Sequence, residues 1–170
     1  MAFAGHHGGP CGPALGGDRE PSELSERESA YRSIVFVLHG IRARNDTWVS
    51  DLEALLRQDP TVCVVTASYG RISAYNFAFP LTRRRNLYWF QDQYTFRLAN
   101  HPDLPIHFVG HSNGTYVFGQ SLRRIRAMRF DRIFLAGSVL PRDFDWPAFK
   151  SNGRIAGYRS WRTSPCRSSE

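Results

Sequence analysis

No stretch of this chain approaches the roughly 20 consecutive apolar residues of a membrane-spanning helix, so no transmembrane segment is expected. Met1 to Gly17 has neither the positive n-region nor the apolar h-region of a secretory signal. Cysteine is scarce. Cys11, Cys63 and Cys166 are odd in number and far apart, which argues against a disulfide framework or a zinc site. Cys63, inside an apolar run, reads as a small core residue. These absences make a cytoplasmic location the default expectation. Lysine is nearly missing: Lys150 is the only one, and arginine carries the formal net charge of +7. The densest basic groups are Arg83-Arg84-Arg85 and the set Arg123, Arg124, Arg126, Arg129. They read as a solvated loop and a solvated helix face, and no nucleic-acid partner is expected. A basic peripheral protein that meets membrane or nucleic acid through Arg83 to Arg85 stays open as a third reading.

What is present suits one domain. The 170 residues are 42% hydrophobic and 22% charged, within the range of a soluble globular chain. Residues 1 to 30 mix Gly, Pro, His, Ser and Glu without periodicity and read as a disordered leader. Ser33 to Leu38 and Val62 to Ala67 are short β-branched runs, the pattern of strands buried on both faces. Between them Asn45-Asp46-Thr47 offers N-cap chemistry. A helix is expected from Trp48 to Gln58 with Val49, Leu52, Leu55 and Leu56 on one face. Ser68 to Arg85 reads as a long loop carrying Tyr69, Phe77 and Phe79. Asn86 to Ala99 reads as a helix. Ile106 to Val109 and Ile133 to Ala136 read as further strands, with a helix from Asn113 to Met128 between them. Strands alternating with helices predict a parallel sheet with crossover helices.

One short motif carries chemistry. Gly110-His111-Ser112-Asn113-Gly114 is a G-x-S-x-G placed between a strand and a helix, the setting of a nucleophile elbow. There a serine sits on a strained turn, and glycines two residues before and after it remove Cβ atoms that would clash. His111, at an x position, should point away from the reacting centre. His107 reads as a satisfied core histidine. His39 reads as a shaping element of its loop.

The order Val35-Phe36-Val37-Leu38-His39-Gly40, then one strand and two helices, then the elbow, resembles the α/β-hydrolase superfamily. The likeness runs from Ser33 to Asp145. It implies an α/β fold: a three-layer α/β/α sandwich with a mainly parallel sheet of α/β-hydrolase type, here incomplete at the C-terminal side. It implies a serine esterase or lipase-like hydrolase of small-molecule or lipid carboxylic esters, with no metal and no cofactor. Ser112 would be the nucleophile. The backbone N–H groups of Asn113 and Ile41 would form the oxyanion hole. Asp143, after the fourth strand, is a candidate acid, with Asp145 beside it.

The pattern departs from that family in one respect. Its catalytic partners follow the serine in the order Ser, Asp or Glu, His. All six histidines, His6, His7, His39, His101, His107 and His111, precede Ser112. The residues left after Gly137 are also too few for two more strand–helix units at about 30 residues each. Residues 31–146 therefore read as a partial hydrolase domain and 147–170 as an irregular, foreign tail that follows a truncation or frameshift. Two consequences are expected. The chain is either a serine hydrolase by ancestry or a catalytically inactive binding module. The strand Ile133 to Ala136 would be an open sheet edge through which copies self-associate.

Overall fold

The computed structural model describes residues 30–40, 48–66 and 80–161. The leader, the Asn45-Asp46-Thr47 segment, Ile41 and the aromatics Tyr69, Phe77 and Phe79 lie outside them. The strands are β1 (Ser33–Leu38), β2 (Val62–Thr66), β3 (Ile106–His111), β4 (Phe130–Ala136) and β5 (Ile155–Trp161). They form one parallel sheet in the order β2-β1-β3-β4-β5. The helices are α1 (Trp48–Leu56), α2 (Pro80–Asn100), α3 (Asn113–Arg124) and α4 (Trp146–Ser151).

Register places residues in rows across each face. One face carries the rows Cys63-Ile34-Ile106 and Val65-Phe36-Phe108-Ile133-Tyr158. Helices α2, α3 and α4 pack there. Phe90 of α2 meets Phe36 edge-on at 5.4 Å, Phe118 of α3 stacks on Phe108 at 4.1 Å, and Trp146 of α4 stacks on Tyr158 at 4.5 Å. The other face carries Val64-Val35-His107-Arg132-Gly157 and Thr66-Val37-Val109-Phe134-Arg159. Helix α1 lies over its β2–β1 half, with Val49, Leu52 and Leu56 against Val35, Val37 and Val64. The result is the expected three-layer α/β sandwich. Leu55 departs from expectation: it is 60% exposed on the outer side of α1.

Several boundaries move. Helix α2 starts at Pro80 rather than Asn86. Proline is well suited to a first helical turn, and the arginines after it are good helix formers. Arg84 and Arg85 therefore lie exposed on a helix, not in a loop. Helix α3 stops at Arg124, because Ile125 turns to extended backbone at φ −106° and ψ 104°. Cys63 is fully buried, as its run implies, but it is disulfide-bonded rather than a free thiol.

The reading of 147–170 as an irregular tail is corrected. Residues 146–161 form a helix and a strand that complete a regular β-α-β unit, β5 pairing with β4 from Phe130↔Ile155 to Ala136↔Trp161. Asp145 caps α4 by accepting the Ala148 N–H at 3.0 Å, with Pro147 inside the first turn. Arg154 then turns inward. Its guanidinium donates to the carbonyls of Leu122 and Ile125 at the end of α3 and to that of Met128, groups that a helix end otherwise leaves unpaired. A foreign segment beginning at Asp145 would have no reason to supply that arginine. β4 is thus an interior strand, and among the described residues the edge on this side is β5.

Candidate active site

Ser112 has φ 50° and ψ −119° and is, among the described residues, the one non-glycine with positive φ. Such backbone costs about 1–3 kcal/mol and persists only where its surroundings hold it. Three contacts do so. The Ser112 N–H donates to the Ala136 carbonyl of β4 at 3.1 Å. The Ser112 carbonyl accepts from the Thr115 N–H at 3.0 Å and from Thr115 Oγ1 at 2.7 Å. Thr115 Oγ1 in turn accepts the Val139 N–H at 3.1 Å, tying the elbow to the loop after β4. Sequence reasoning missed Thr115. The signal was available, since a threonine three residues after a turn can bond back to it.

The flanking glycines are required by space. A Cβ on Gly110 would lie 2.5 Å from the Phe108 ring, and one on Gly114 would overlap the Leu38 carbonyl. The second contact lets the start of α3 press against the end of β1. Gly40, next after His39, closes the site from the other side. A Cβ there would lie 2.6 Å from Ser112 Cβ, 2.9 Å from its Oγ and 3.2 Å from the Asn113 nitrogen. The His39-Gly40 loop and the elbow, 70 positions apart in the chain by residue number, therefore meet at Ser112. Ile41, the next residue, lies outside the described residues.

The electrostatics favour an anion at this spot, because the positive end of the α3 dipole begins at Asn113. Asn113 is only 6% exposed, and among the described residues its Oδ1 has no hydrogen-bond partner. Ser112 is half-buried, and among the described residues no hydrogen bond involves its Oγ.

Among the described residues no histidine bonds to Ser112 Oγ. His39 Nδ1 pairs with the Gly40 carbonyl at 2.6 Å. The His111 ring sits edge-on to Trp48 at 5.4 Å and close to Gly137. His107 is half-buried in β3. Among the described residues its buried Nδ1 has no hydrogen-bond partner, so the expectation of a satisfied core histidine is corrected. Burial pushes its pKa down, with the Asp131 charge opposing. His101 packs edge-on to Tyr31 before β1.

Among the described residues, the carboxylates after β4 are led away from Ser112. The loop after β4 runs down α3: Val139 is at Thr115, while Leu140 and Phe144 are at Gly119 and the Arg123 guanidinium lies over Phe144 at 4.8 Å. Gly119 is two turns from Ser112, about 10 Å along the helix. Asp143, beside Phe144, is exposed and makes no hydrogen bond among the described residues. Asp145 is a helix cap. Among the described residues, no cluster of three His, Cys, Asp or Glu side chains could hold a metal, and no helix is long and apolar enough to cross a membrane.

Fold and site together define a parallel α/β protein with a serine on a strained strand-to-helix turn. No protein-family model matches the chain. Virulence factor MDV010 of Gallid herpesvirus 2 (strain Chicken/Md5/ATCC VR-987) is 32% identical over 107 residues, which are 59% of this chain and 13% of that protein. The chain thus spans 13% of the length of that relative. Among solved structures, the Agrobacterium tumefaciens protein Atu2452, of unknown function, is similar at 19% identity and a TM-score of 0.45, over 66% of this chain and 58% of that one. A lipase in its open form is similar at 23% identity and a TM-score of 0.45, over 65% of this chain and 37% of that one.

Proposed function

We propose that this chain is an α/β-hydrolase-type protein whose ancestral chemistry is hydrolysis of carboxylic esters at Ser112. The observation that supports it most is the meeting of Gly40, Ser112 Oγ and the Asn113 nitrogen around a serine with φ 50°. In this reading Ser112 Oγ attacks the ester carbonyl. The carbonyl oxygen becomes negative and is received by the N–H groups of Asn113 and Ile41, each worth roughly 3 kcal/mol in the transition state. The alcohol would leave, and water would release the acid from Ser112. No metal or cofactor takes part.

A serine hydroxyl is a weak nucleophile until a base accepts its proton. Every histidine of the chain precedes Ser112, and no ring among the described residues bonds to its Oγ. That favours a second reading: an inactive hydrolase fold that binds an ester or a partner at the elbow without turning it over. In both readings Asp143 has no assigned role.

Labelling with a fluorophosphonate probe tests the proposal, wild type beside Ser112→Ala. Covalent labelling of the wild type that the substitution abolishes supports Ser112 as the nucleophile. Labelling that persists in Ser112→Ala overturns it.

A further inference from the structure

Positive charge gathers where α3 ends and β4 begins. Arg123, Arg124, Arg126, Arg129 and Arg132 are all exposed there. Residues 123–132 hold one carboxylate, Asp131, whose Oδ2 accepts the Ile106 N–H at 3.2 Å. Among the described residues none of the five arginines has an ion-pair partner. The turn that carries Arg126 and Arg129 is fixed from two sides. Arg154 donates to the carbonyls of Leu122, Ile125 and Met128. The Tyr94 hydroxyl of α2 accepts the Arg129 N–H at 2.9 Å and donates to the Arg129 carbonyl at 3.3 Å. The carbonyls at this helix end, which would offset positive charge, are thus already taken by Arg154. The charges of Arg129 and Arg126 crowd its guanidinium rather than neutralise it.

The described chain begins at the same end of the sheet and on the same face. Tyr31 packs against the core cluster that includes Phe90 of α2 and Phe118 of α3, with its ring edge-on to His101 at 6.1 Å. β1 and β4 flank β3, so their starts are two strand spacings apart, about 10 Å. Just before Tyr31, residues 18–28 hold Asp18, Glu20, Glu23, Glu26 and Glu28 against Arg19 and Arg27. That is five of the 15 acidic residues in a chain of net charge +7, so the charge the arginine turn lacks is concentrated beside it.

We propose that the acidic segment 18–28 docks on the arginine turn 123–129 of its own chain. Its reach suffices. At about 3.3 Å per extended residue, Glu28 can lie up to about 10 Å from Tyr31 and Glu23 up to about 26 Å. Exposed ion pairs are weak one at a time. Tethering raises the effective concentration of the segment into the millimolar range and lets them act as a set. Arg126 and Arg129, on a fixed backbone, are the centre of the surface. It lies at the opposite end of the strands from Ser112 and is independent of any chemistry there.

The test uses the full chain at low ionic strength, where exposed pairs are least screened, and a labelled synthetic peptide of residues 18–29. Substituting Glu20→Gln, Glu23→Gln, Glu26→Gln and Glu28→Gln together frees the arginine turn. Anisotropy should show the peptide binding this variant at least about tenfold more tightly than the wild type, whose own segment competes. Adding Arg126→Gln and Arg129→Gln to the variant should weaken peptide binding at least about fivefold. Adding Arg84→Gln and Arg85→Gln instead removes the same charge from exposed positions on α2 and should change binding by less than about twofold. Equal affinity for wild type and variant, binding to neither, or equal losses at the two arginine pairs would overturn the proposal. So would a concentration-dependent wild-type dimer that Arg126→Gln with Arg129→Gln disperses, since that places the segment on a second copy of this chain.

Discussion

Ser112 is held in a costly conformation by groups that are themselves buried, and that makes its surroundings testable one side chain at a time. Thr115 is fully buried and bonds on both sides of its hydroxyl, to the Ser112 carbonyl and the Val139 N–H. Thr115→Val keeps the shape and removes both bonds. It should lower stability by about 2 kcal/mol, measured by denaturant titration; an unchanged midpoint would mean that the elbow is held some other way. Gly40→Ala is the complementary change. Its methyl would collide with Ser112, so the His39-Gly40 loop must retreat, and any probe reactivity of Ser112 should fall while the melting temperature drops by only a few degrees. His107 gives a pH signature. Its folded-state pKa lies below the ordinary value of 6.5 because of burial, so the unfolded chain takes up the proton more readily. Its contribution to stability is present above that value and is lost as pH falls toward the folded-state pKa. Melting temperature should therefore decline between about pH 7 and 5, and His107→Gln should flatten that decline. A wild type whose melting temperature does not fall over this interval would contradict the desolvation of the half-buried ring.

The elements β1 and β2 were legible because burial on both faces forces β-branched and aromatic residues into short unbroken runs, as in Ser33–Leu38, and β3 and β4 because one buried face still gathers apolar residues into a short run. The elbow was legible because its glycines and serine recur at fixed spacing between a strand and a helix. β5 was not. An edge strand has little to bury, and Ile155 is its one core residue, so Ala156, Gly157, Arg159 and Ser160 look like loop. The same blindness hid Arg154, whose partners are carbonyls of α3 and its exit turn, invisible to any local pattern. That arginine joins α3, α4 and β5, and it also stacks over Phe149 at 5.0 Å. Arg154→Met should leave buried carbonyls unpaired and cost about 3 kcal/mol. The loss should appear first as faster hydrogen exchange in β5 and α4. Exchange that quickens equally in β1 would show that these elements are not the arginine's charge.

For the molecule as a whole, the sheet is unevenly protected. β1 and β3 are interior strands beside the main core, while α1 contributes no fully buried residue. Hydrogen exchange should rank β1 and β3 slowest, with β5 and α1 fastest; β5 exchanging as slowly as β3 would contradict this order. The site follows the same division. The interior strands deliver Gly40 and Ser112 to one point, and the path after β4 carries the available carboxylates away from it. In the proposed reading Ser112 is the nucleophile position, and among the described residues no proton acceptor bonds to its Oγ. The most direct measurement is fluorophosphonate labelling at Ser112 with and without added imidazole, which can act as a free base. The account predicts slow labelling alone, at least about tenfold faster labelling with imidazole, and none in Ser112→Ala. Rapid labelling without imidazole, or none at Ser112 in either condition, would contradict it.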